Sequence, residues 1–173
     1  MEMTHYMELL ATNQPWNLIL FMAIPVILAE TVAITELMIL LKKKQDGALG
    51  MVNKIAGILG GWCFLGVFVY LFLTAFLPIT SAGGWRSWVD FIAVSAYLLG
   101  VIPLMGIALL DMNIIARNKP QAKRQELHVC FVALFLVVAH IAMVFGMVDP
   151  SIAGYVSSPS MDMSHMDMMN MNH

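Results

Sequence analysis

Apolar residues run almost without a break through four parts of this chain, about 16–41, 55–77, 88–115 and 128–148, and polar positions collect between and beyond them. Crossing a hydrocarbon layer of roughly 30 Å takes about 20 apolar helical residues, and each run meets that length. The pattern predicts an all-α integral membrane protein: a four-transmembrane-helix bundle over residues 16–148, with 1–15 and 149–173 left outside it. Pro15 and Trp16 suit the start and the interface of the first span, Pro25 should bend or locally open that span, and Pro103 lies near the middle of the third. Trp85 and Trp88 follow the loop after the second span as further interface anchors. In the second run, Gly57 and Gly61 form a GxxxG, and Gly66 extends a small-residue surface for close helix packing.

Composition strengthens this reading, because 60% of the 173 residues are hydrophobic and only 12% are charged. A soluble domain carries about twice that charge fraction. No basic region precedes the first run and no small-residue cleavage site follows it, so it is expected to persist as a helix rather than act as a signal peptide. Eight of the nine basic residues, Lys42, Lys43, Lys44, Lys54, Arg117, Lys119, Lys123 and Arg124, fall in or beside the first and third loops. The positive-inside rule then makes both loops cytoplasmic and puts both termini outside, in the periplasm or extracellular space. The expected location is a cell membrane, with a bacterial inner membrane the natural setting. Cys63 and Cys130 lie singly in two different spans, which argues against a disulfide framework and against a thiol metal site. Nothing in the sequence supports nucleic-acid binding.

The chemistry concentrates at the two ends. "MEMTHYM" opens the chain with Met3, His5 and Met7, and "SMDMSHMDMMNMNH" closes it with Met161, Met163, His165, Met166, Met168, Met169, Met171 and His173. Methionine normally fills gaps in cores, yet here it alternates with polar residues and cannot bury a continuous face. Its thioether is soft and neutral, favours Cu(I) or Ag(I), and binds without losing a proton. Unlike a thiol, it forms no disulfide in an oxidising compartment. The flexible spacing of these ligands suits capture and hand-over of copper better than storage.

Inside the membrane, ionisable groups are expensive and mark a pathway or a partnered site. Glu30 in the first span and His140 in the fourth are both expected near mid-membrane, where they could meet. Glu36, Asp111 and His128 form a second polar level toward the cytoplasmic side. His140, Met143 and Met147, spaced three and then four apart, share one helical face that climbs outward. Each group also has a structural reading: a Glu–His pair can simply join two helices, intramembrane methionines commonly pack, and the inner acids can pair with the basic loops.

The terminal motifs "MDMSHMDMMNMNH" and "MEMTHYM" resemble the outward-facing methionine and histidine motifs of Ctr-type copper transporters and the Met-rich segments of bacterial copper-resistance proteins. The resemblance implies soft-metal binding at the chain ends. The rest departs from Ctr: four spans stand in place of three, and Met143 and Met147, although four apart, follow His140 on the last span and inherit no pore role.

The sequence thus points to a small, non-enzymatic membrane protein that binds and hands over or transports copper, with tails feeding Met147, Met143 and His140, and then Glu30 and the inner level. The bilayer, the copper ion, and either a homo-oligomer or a larger membrane complex are the expected partners. Three alternatives stay open. A redox subunit with a b-type haem or quinone site would use His140; one haem between His128 and His140 is excluded, because twelve residues separate them by about 18 Å of helical rise. An accessory or assembly subunit of a copper enzyme would dock through Gly57 and Gly61. A proton-coupled permease would use Glu30 and Glu36.

Overall fold

The computed structural model describes residues 4–42 and 47–149, and every regular element among them is helical. A short helix, α1 (His5–Ala11), precedes four long ones: α2 (Trp16–Lys42), α3 (Ala48–Ala82), α4 (Trp88–Asp111) and α5 (Gln121–Met147). All four are long and apolar enough to cross a membrane. They alternate in direction. Hydrogen bonds tie α1, the α3–α4 connection and the last turn of α5 together at one end, the α1 end. The α2–α3 and α4–α5 connections, with Lys42, Lys54, Arg117 and Lys119, lie at the other, the basic end.

The helices differ in length from the apolar runs. α3 begins seven residues before its run and α5 begins seven before its own, while α4 stops at Asp111 rather than 115. Polar residues continue the backbone ladder past the hydrocarbon layer, so the ends are set by caps and not by hydropathy. Ser87 starts α4 by accepting the amide of Asp90 at 3.4 Å. Gly83, in the left-handed region (φ 63°), ends α3, with Gly83 N–H bonded to Thr80 O and Gly84 N–H to Ile79 O. A left-handed residue of this kind closes a helix cheaply only when it is glycine.

Three irregularities share one cause. Proline lacks the N–H that would bond the carbonyl four residues earlier, and its ring crowds that carbonyl. A wide π-turn at Ile19–Ala23 precedes Pro25, another at Phe72–Phe76 precedes Pro78, and α4 breaks at Gly100 just before Pro103. In α2 the freed carbonyl of Phe21 accepts the hydroxyl of Tyr97 from α4. A buried helix break is tolerated when a neighbouring helix satisfies it in this way.

α4 is the central helix: 56% of its most apolar stretch is buried, against 17–28% for the other spans. It packs along α3 and α5, and α2 packs on α3. Val32, Phe64, Leu104, Ile107 and Phe135 fill the middle. Gly57 and Gly61 do not form an outward docking face. They lie against Leu104, Ile107, Ala108 and Asp111 of α4, where a β-carbon on Gly61 would stand 2.8 Å from the Leu104 carbonyl oxygen. Gly66 is not part of this contact and faces open space. Large apolar side chains such as Ile34, Leu59, Ile102 and Val144 cover the outside, as a lipid-facing surface requires.

Candidate functional site

The basic end holds the inner polar level expected from sequence, and the fold closes it into a cluster. Glu36 of α2 and His128 of α5 are both buried, with His128 Nδ1 3.0 Å from Glu36 Oε2 and His128 Nε2 3.5 Å from Asp111 Oδ2 at the end of α4. The approach is close but poorly aligned: Glu36 Oε1, Asp111 Oδ2 and both ring nitrogens of His128 make no hydrogen bond. Asn53 on α3, which lies outside the predicted second span, binds the cluster together. Its amide donates to Thr35 Oγ1 at 2.9 Å, to the Val32 carbonyl at 3.3 Å and to Glu36 Oε2 at 3.3 Å. Gly57 makes room for Asp111, whose carboxylate occupies the space that a side chain there would fill. A cavity of about 500 Å³ opens onto the cluster, with Lys54, Lys119 and Arg124 also lining it.

At the α1 end a second cluster forms around Asp90, which is fully buried. Asp90 accepts the backbone N–H of His5 at 2.8 Å and also contacts His5 Nδ1; Arg86 pairs with Glu8. A carboxylate only accepts, so Nδ1 carries a ring proton, and in the neutral imidazole the Nε2 lone pair is the one left to accept or coordinate. The ring rests edge-on near Trp85, 6.3 Å between centroids. Trp85 therefore belongs to this cluster rather than to the lipid interface, while Trp16 and Trp88 are exposed. Met7 packs against the apolar cluster of Leu10, Phe21 and Leu71, so its environment is that of a packing residue. Thr4 Oγ1 donates to the Gly146 carbonyl at 2.8 Å and fastens α1 to the end of α5. The serine three residues before Asp90 was the capping signal that could have revealed it.

Glu30 and His140 do not meet. The Glu36–His128 contact sets the register between the antiparallel α2 and α5. From it Glu30 lies six residues, about 9 Å, toward the α1 end, whereas His140 lies twelve residues, about 18 Å. Both side chains are exposed on the outside of the bundle. His140 Nδ1 donates to the Leu136 carbonyl of its own helix at 2.6 Å, so in the neutral imidazole Nε2 again holds the available lone pair. Met143 and Met147 share its face and are exposed, so this row climbs the outer surface of α5 and encloses no channel. Met3, Met161, Met163, His165, Met166, Met168, Met169, Met171 and His173 lie outside the described residues. Among the described residues no group of three or more His, Cys, Asp or Glu side chains is placed to hold a metal. Cys63 and Cys130 are free.

Among the described residues, an all-helical bundle with four helices long and apolar enough to cross a membrane, an apolar middle and a polar cluster at each end defines the class. The chain belongs to a family of unknown function (DUF6803), whose model matches residues 1–163. No curated protein and no solved structure matches it.

Proposed function

We propose that this protein collects copper as Cu(I) on its methionine- and histidine-rich chain ends and hands it on at the α1 end, which faces the periplasm or cell exterior of a bacterial inner membrane. The observation that carries the reading is the Thr4–Gly146 bond: it anchors the first soft-ligand segment beside the end of α5, the helix from which the last segment departs. His5 and His140, each with Nδ1 committed, and the exposed thioethers of Met143 and Met147 supply further soft or borderline ligands along that end. The basic residues at the opposite end support the orientation. Hand-over at this end fits the bundle better than passage through one copy, because Val32, Phe64, Leu104 and Phe135 fill its centre. The carboxylate–imidazole cluster, with oxygen donors and a cationic lining, is a poor match for Cu(I) and stands outside this role. An axial haem role for His128 is disfavoured, since both ring nitrogens face carboxylates.

Replacing the six methionines of 161–171 by leucine should lower the copper retained by producing cells and their copper tolerance relative to wild type. Unchanged copper content together with unchanged tolerance would refute the reading.

A further inference from the structure

The cavity at the basic end is a built site that the copper reading does not use, and its lining is sorted by charge. Its buried wall carries Glu36 and His128, whose side chains are 6% and 8% exposed, beside Asp111 and Asn53. Its outer lining carries Lys54 and Lys119, both exposed, and Arg124, which also donates to the Leu110 carbonyl at 2.7 Å. Glu36 Oε1 is a buried acceptor without a hydrogen-bond donor, and Asp111 Oδ2 has only the long 3.5 Å approach of His128 Nε2. Buried acceptors left unmade are costly, so the carboxylate wall calls for a ligand that brings hydrogen-bond donors, and a cationic donor bonds a carboxylate most strongly. The lysines and arginine call for an anion at the mouth. About 500 Å³ lies within the range of small-ligand pockets.

We propose that this cavity binds a phosphoethanolamine group, its primary ammonium donating to Glu36 and Asp111 and its phosphate lying on Lys54, Lys119 and Arg124. The site stands where α2 and α4 end and α5 begins, the level at which basic pockets between membrane helices take lipid head groups. Two sources share this chemistry, the head group of phosphatidylethanolamine and a free phosphoethanolamine. A choline head group has the same charges but no N–H, and a glycerol head group has only neutral O–H donors, so neither brings a charged N–H to the buried carboxylates.

The test uses the full chain, purified in detergent and stripped of lipid, with calorimetric titration of short-chain phosphatidylethanolamine, phosphatidylcholine and phosphatidylglycerol, and of free phosphoethanolamine. Phosphatidylethanolamine should bind about tenfold or more tighter than the choline and glycerol lipids, since a hydrogen bond to a charged group is worth at least that factor. Glu36→Gln should erase the preference over choline, and Lys54→Gln, at an exposed position, should weaken ethanolamine-lipid binding severalfold without changing the melting temperature of the lipid-free protein. Lipid binding without binding of free phosphoethanolamine identifies a head-group site; equal binding of both identifies a soluble ligand of the same chemistry. Equal affinity for all three lipids, a preference unchanged by Glu36→Gln or, where that variant does not fold, an affinity unchanged by Lys54→Gln would overturn the proposal.

Discussion

Tyr97 illustrates how one side chain can compensate for a defect written elsewhere in the chain. Pro25 deprives the Phe21 carbonyl of its helical donor, and the Tyr97 hydroxyl replaces it. Tyr97→Phe should cost about 1 kcal/mol, the scale of hydrogen bonds between membrane helices. Pro25→Ala restores the helical donor, so the same tyrosine change in that background should cost less, which a double-mutant cycle of detergent unfolding measures directly. Asn53→Leu removes three buried hydrogen bonds around Glu36 and should lower stability by about 1–3 kcal/mol, read as a fall in melting temperature. At this scale the sequence was partly legible. Glu36, Asp111 and His128 stood out because charged groups are rare in apolar runs, and the fold brings them together. Asn53 was hidden because an uncharged amide just before an apolar run looks like loop. Glu30 and His140 were misplaced because their depth was counted from the ends of hydropathy runs, whereas a contact between helices sets the register.

At the scale of elements, glycine decides how closely α3 and α4 approach. Gly61→Ala puts a β-carbon against the Leu104 carbonyl oxygen and the Ala108 side chain, and should destabilise the bundle by about 1–3 kcal/mol through overpacking. Gly66→Ala meets nothing within 4 Å and should be neutral or slightly stabilising. Thermal unfolding of the two variants side by side checks the contrast; equal effects would contradict the packing described. The GxxxG spacing was readable, but not its partner, because a small-residue surface is the same pattern whether it meets a helix of its own chain or of another. The helix count was legible for a firmer reason: nothing but a helix satisfies its backbone alone across a hydrocarbon layer. Helix ends were less so, since Ser87, Gly83 and Pro120 set them through local bonds and dihedral angles that hydropathy does not see.

The whole molecule combines a lipid-facing exterior, a filled centre and two chemically different ends. One end gathers α1, Asp90 and the exit of α5; the other gathers carboxylates, His128 and basic residues around a cavity. The proposed orientation predicts that single cysteines introduced at Thr12 and Ser81, in a background with Cys63 and Cys130 replaced, react with an impermeant maleimide on intact spheroplasts, whereas one at Lys119 reacts only after lysis. The reverse labelling pattern would invert the topology and remove the outward collection of metal. Soft-metal chemistry itself was read from residues at the chain ends, most of which lie outside the described residues, so metal content is the property that decides it. The most direct measurement is elemental analysis of the purified full chain after loading with Cu(I) and desalting, beside the same protein lacking residues 160–173. Copper should be bound by the full chain and mostly lost on truncation; no retained copper in either, or equal copper in both, would rule out collection by the chain ends.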